Sequence, residues 1–74
     1  VYPREVIRAA LDKNAAALVI AHNHPSGRMH PSPQDITLTR TLHLACSCMD
    51  IRLLDHLIIG QENRPYSFAD HGLM

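Results

Sequence analysis

Ala15-Ala16-Ala17-Leu18-Val19-Ile20-Ala21 is an unbroken apolar run that leads directly into His22-Asn23-His24. A run this short, β-branched near its end, suits a strand buried on both faces of a sheet. Ile51 to Gly60 is a second such run, apolar apart from Arg52 and the pair Asp55-His56, and it predicts a second strand. Elsewhere the apolar spacing is helical. Pro3 suits a first helical turn, and Val6, Ile7, Ala10 and Leu11 share one stripe, which predicts a helix over 3–13. Leu38, Leu42, Ala45 and Met49 form the apolar stripe of a helix reaching Met49, with Arg40, His43, Ser47 and Asp50 on its solvated side. After a turn over 61–65, Tyr66-Ser67-Phe68 reads as a short edge strand, and the residues through Met74 as a turn or brief helix. The order helix, strand, helix, strand gives an α/β sandwich. Its two or three strands leave open edges, so something should sit beside the sheet, and self-association is expected.

Length and charge bound the function. With 74 residues, the chain is one domain over 1–74, or part of one, and a domain this small buries only about 60% of the surface its unfolded chain exposes. Hydrophobic residues make up 46%, which is a globular composition. Seven basic and seven acidic residues cancel to a formal charge of zero, so no field attracts nucleic acid or an anionic membrane. Two tyrosines and one phenylalanine offer little for stacking on bases, a further argument against direct nucleic-acid contact. No apolar run approaches the ~20 residues of a membrane span, and the opening residues do not resemble a signal peptide, so a cytoplasmic protein is expected. Cys46 and Cys48 lie on different faces of a helix and read as reduced packing residues rather than a disulfide or a metal pair. A start at Val1 suggests that the chain begins partway through a longer protein.

The chemistry concentrates after the first strand. His22 and His24 stand two apart at a strand end, so alternation points both imidazoles to one side. The loop over 23–33 holds three prolines, two serines and Gly27 and folds the chain back. In Ser32-Pro33-Gln34-Asp35 the serine can cap the next helix, proline suits its first position, and the aspartate stands where the helix dipole favours negative charge. Two imidazoles and a carboxylate leave one tetrahedral position open, as catalytic zinc sites do. Each part has a plainer reading. A His-x-His pair in a loop is often only solvated, and Ser32 with Asp35 makes a sound capping box without any metal. The two readings of Asp35 are compatible, because one oxygen can cap while the other ligates.

His22-Asn23-His24-Pro25-Ser26-Gly27, then Pro31-Ser32 and Asp35, resembles the His-x-His, Ser, Asp motif of the JAMM (MPN+) metalloproteases, and within them the bacterial RadC-like proteins. Pro3-Arg4-Glu5-Val6, Asn14-Ala15-Ala16-Ala17, Asp50-Ile51, Asp55-His56-Leu57-Ile58 and Tyr66-Ser67-Phe68 are similar to the RadC-like pattern almost end to end. The resemblance implies an α/β sandwich of the cytidine-deaminase-like (JAB/MPN) type. It implies Zn2+ held by His22, His24 and Asp35, hydrolysis of a peptide or isopeptide bond in a peptide or protein substrate, and Ser32 steadying the oxyanion. It also implies a general-base glutamate upstream of the histidines. Glu5 lies in the first-helix motif instead and is not assigned that role, so the chain is read as the C-terminal part of the domain. Relatives carry a DNA-repair label that nothing in these residues supports.

Smaller expectations complete the reading. Asp55 and His56 interrupt an apolar strand and are taken as a satisfied structural pair, with support of a zinc ligand as the alternative. Asn23 and Ser26 are taken as turn residues, and Arg28, Met29 and His30 as rim residues, His30 being a weak rival ligand. Against the hydrolase stands a non-catalytic, zinc-stabilised interaction module or a truncated, inactive relative.

Overall fold

The computed structural model describes residues 3–24, 29–61 and 64–74. They form α1 (Pro3–Asp12), β1 (Ala17–Asn23), α2 (Pro33–Cys48), β2 (Arg52–Ile59) and β3 (Tyr66–Ser67). Parallel neighbours need a crossover, and α2 supplies it, carrying the chain from β1 to a parallel β2. β3 then lies antiparallel on the other side of β2, giving the sheet order β1-β2-β3. The result is the expected mixed α/β layer structure. Pro25 to Arg28 of the expected loop, including Ser26 and Gly27, and Glu62 and Asn63 of the expected turn, lie outside the described residues. Among the described residues no helix is long and apolar enough to cross a membrane.

Both helices cover the same face of the sheet. Ala10 of α1, Leu42 and Cys46 of α2, Ile51 and Leu53 form one buried cluster, against which Val6, Ile7, Leu18, Ile20 and Leu38 pack. β1 therefore departs from the expectation of burial on both faces. Leu18 and Ile20 turn toward the helices, while Ala17, Val19 and Ala21 are exposed. Apolar side chains on both sides of a strand show what it tolerates, whereas burial depends on what lies above each face. Here the described elements stack on one face only.

The stripe of α2 is also corrected at one position. Leu38, Leu42 and Ala45 face inward, but Met49 is 52% exposed while Cys46 is fully buried. α2 stops at Cys48, and the chain reverses through Asp50 at a left-handed φ of 57°. Ile51, whose N–H donates to the Cys46 carbonyl at 2.8 Å, fills the place a longer helix would have given Met49. α1 ends one residue short of its expected limit in a similar way. Asn14, with φ 52°, turns the chain, and the Ala15 N–H donates to the Ala10 carbonyl at 2.9 Å. Asparagine tolerates this left-handed geometry better than most residues. Cys46 and Cys48 are both unbridged, but only Cys46 is a buried packing residue, because α2 turns Cys48 to its exposed side.

One irregularity in the sheet sets up the site. Leu18 pairs with Leu53, but Val19 pairs with Asp55, so Leu54 is skipped in the register. Plain alternation from the buried Leu53 would turn Asp55 inward and His56 outward. The bulge reverses this, and His56 is buried beneath α2, beside Ile20 and two pairs before His22 in the ladder. Asp55 is directed away from His56's ring. Its carboxylate accepts from Ser67 Oγ at 2.5 Å and the Ala69 N–H at 3.0 Å, fastening the C-terminal turn to β2.

Candidate metal centre

Three elements meet at the C-terminal end of β1. Alternation brings His22 and His24 to one side, their ring centroids 4.8 Å apart. The Ser32 hydroxyl accepts the Asp35 N–H at 3.1 Å, and the Asp35 carboxylate accepts the Ser32 N–H at 2.8 Å, which closes the expected capping box. That box fixes the carboxylate over the strand end. Its Oδ2 lies 3.0 Å from His24 Nε2, and its Oδ1 lies 3.5 Å from His22 Nε2.

The site's electrostatics favour ligands in their metal-binding forms. Burial alone would raise the Asp35 carboxyl, but hydrogen bonds from Ser32 and His24 and the nearby His22 outweigh it and hold it below 3.8. Partial burial lowers His22 from its ordinary 6.5, with His24 adding to the effect and Asp35 opposing it. An ionised carboxylate and neutral imidazoles are what a divalent cation requires. Ligand atoms of His22, His24 and Asp35 all lie within 4.8 Å of one another, close enough to share one ion. The donor set fits a borderline cation such as zinc.

Other candidates fall outside this group. His30 is exposed and its ring lies 6.2 Å from that of Tyr66, so it is not placed among the ligands. Glu5 is on the exposed side of α1, 3.7 Å from Arg8. His56 is satisfied, as expected, but chiefly by partners other than Asp55. Its backbone N–H donates to Asp55 at 2.7 Å, but its ring lies against His22, with Nε2 2.8 Å from His22 Nδ1. Its Nδ1 is 2.6 Å from the hydroxyl of Thr39, a buried residue that the sequence reading passed over. Thr39 stands four residues after Asp35, on the same helical stripe, and that spacing was the available signal.

Burial gives these rings a pH consequence. Desolvation, reinforced by His22, holds His56 below 6.5. With His22 and His56 both depressed, the unfolded chain takes up protons near 6.5 before the folded one does. The metal-free protein is therefore expected to be most stable above pH 6.5 and to lose stability as pH falls from there toward the folded values. Urea midpoints at pH 7.5 and 5.5 check this, and equal midpoints would contradict it.

The family model describing the RadC-like JAB domain matches residues 1–73. The chain belongs to the RadC-like JAB domain family. It is 55% identical over all 74 residues to a UPF0758 protein of Aromatoleum aromaticum, covering 33% of that protein. It is 57% identical, again over its whole length, to a UPF0758 protein of Marinobacter nauticus, with 33% of that chain covered. A UPF0758 protein of Stenotrophomonas maltophilia is 54% identical with 31% covered. The chain thus spans about a third of the length of these relatives, and its sheet and two helices correspond to part of a RadC-like JAB domain. His22, His24 and Asp35 form a cluster that could hold a metal ion, and the family suggests a JAMM-type metal-binding domain.

Proposed function

We propose that this chain carries the centre of a zinc-dependent hydrolase that cleaves a peptide or isopeptide bond, with His22, His24 and Asp35 as ligands and Ser32 at the attacked carbonyl. The convergence of two imidazoles and one ionised carboxylate, with a coordination position to spare, supports this reading above all. Bound zinc would supply an activated water and a Lewis acid for the carbonyl. The chain's own residues do the rest. Asp35 keeps its charge through the capping hydrogen bonds of Ser32. The Ser32 hydroxyl, accepting from the Asp35 N–H, is held in place with its own hydrogen left to donate to a developing oxyanion. A shallow cleft of about 450 Å3, lined by His22, Asn23, Gln34, Asp35 and Leu38, gives a substrate access to this edge. The general base is not assigned to a residue of this chain.

Elemental analysis of the purified full-length protein should show about one zinc per chain, removed by His22→Ala. A panel of peptide and isopeptide substrates should then reveal hydrolysis that a chelator stops and zinc restores. Ser32→Ala should keep the zinc and lower kcat by about 100-fold. Zinc without turnover on any substrate would reduce the site to a metal-stabilised module, and no metal at all would remove the proposal.

A further inference from the structure

Two buried residues that do not reach the metal position stand in line behind His22. Thr39 and His56 are each 1% exposed, and both ring nitrogens of His56 are engaged, Nδ1 with Thr39 Oγ1 at 2.6 Å and Nε2 with His22 Nδ1 at 2.8 Å. We infer that Thr39 and His56 are positioning residues whose hydrogen-bond chain decides which nitrogen of His22 carries the hydrogen and which offers a lone pair to the metal. This rests on the metal-centre reading above.

The direction of the chain follows from counting hydrogens. The Thr39 hydroxyl has one hydrogen and donates it to the Asp35 backbone carbonyl, 2.8 Å away, an oxygen that can only accept. Towards His56 the hydroxyl must therefore accept, so His56 carries its hydrogen on Nδ1. A neutral imidazole has only one such hydrogen. Among the described residues no carboxylate bonds this ring to favour a second, since Asp55 takes the His56 backbone N–H instead. His56 Nε2 is then a lone pair and accepts from His22 Nδ1–H. That leaves His22 Nε2 as a lone pair facing Asp35 Oδ1 at 3.5 Å, two electron-rich atoms with the metal position between them. The polarity begins at the backbone of Asp35 and ends at its side chain, so one residue anchors both ends.

Thr39→Val tests this, because it preserves shape and removes only the hydroxyl, which accepts from His56 and donates to the Asp35 carbonyl. His56 then has no oxygen to receive its Nδ1 hydrogen and shifts it to Nε2. His56 becomes the donor, His22 Nδ1 the acceptor, and His22 must carry its hydrogen on Nε2, directed at the metal position. Nitrogen-15 NMR of the imidazoles in metal-free full-length protein should show His22 with its hydrogen on Nδ1 in the unaltered protein and in Thr39→Ser, and on Nε2 in Thr39→Val. Zinc affinity, measured by chelator competition, should fall about 10- to 100-fold in Thr39→Val and recover in Thr39→Ser. An unchanged far-UV spectrum confirms the fold. His22 found with its hydrogen on Nε2 in the unaltered protein overturns the inference, as does a Thr39→Val protein with unchanged tautomer and affinity. The tautomer is read without metal, so failure of zinc to bind any form would count against the hydrolase proposal while the spectra still decide whether Thr39 governs His22.

Discussion

Asp35→Asn is expected to weaken zinc binding by more than about 100-fold, beyond the range typical of outer partners, and to abolish hydrolysis, while the fold survives. Asp35 has two tasks that the substitution separates. As the third residue of α2 it returns a hydrogen bond to the Ser32 N–H, and a carboxamide oxygen can still do so. As a ligand it must bring negative charge between two imidazoles, and a carboxamide cannot. The helix loses the charge–dipole part of its cap, on the order of 0.5 to 1 kcal/mol. The carboxamide N–H group can in turn donate to the His22 Nε2 lone pair, 3.5 Å from the present Oδ1. Metal content by elemental analysis and stability by urea unfolding should therefore diverge. A protein that keeps its zinc, or one that unfolds outright, would show that the two tasks are assigned wrongly.

Phe68→Ala is expected to cost about 4 kcal/mol, the largest stability effect of a single truncation considered for this chain. Phe68 is fully buried and its ring stacks on that of His56, with centroids 4.4 Å apart and planes at 9°. Tyr66 packs edge-to-face with it at 5.9 Å, and the Phe68 N–H donates to the His56 carbonyl at 3.0 Å. Truncation removes the floor beneath the His56 imidazole and leaves a cavity that the sheet cannot close. Since small domains hold only about 5–15 kcal/mol in total, the variant should sit near its unfolding limit. Phe68→Leu keeps most of the volume and should cost on the order of 1 kcal/mol. Denaturant midpoints for both measure the difference. A Phe68→Ala protein as stable as the Phe68→Leu form would mean the ring is not the wedge it is taken to be.

The cluster of His22, His24 and Asp35 was legible because its geometry is local. Alternation over two positions aligns His22 with His24, and the capping box between Ser32 and Asp35 needs only a helix start. Nothing local announced His56, and for Thr39 the only local sign was its place four residues after Asp35. The meeting of His56 with His22 depends on strand pairing across 34 residues and on the skipped Leu54, and simple alternation gives the opposite face for His56. The exposed side of β1 was misread because Ala17, Val19 and Ala21 are apolar whether or not something covers them. Met49 was misread because a stripe extrapolates past Cys48, whereas the left-handed turn at Asp50 hands the inner position to Ile51. In each case periodicity was read correctly, and a non-local contact or a chain reversal decided the outcome.

The skipped residue also leaves β2 with slack. A chain lacking Leu54 would close into an even ladder and keep Asp55 and His56 on the sides they hold now, because the bulge already treats that residue as surplus. A chain with one more residue there has no such outlet. It must widen the bulge or slide the remainder of β2 two positions along β1, carrying the His56 ring about 7 Å from its place behind His22. Contraction is absorbed at this point and extension is not, so length, more than side-chain identity, keeps the two histidines in touch.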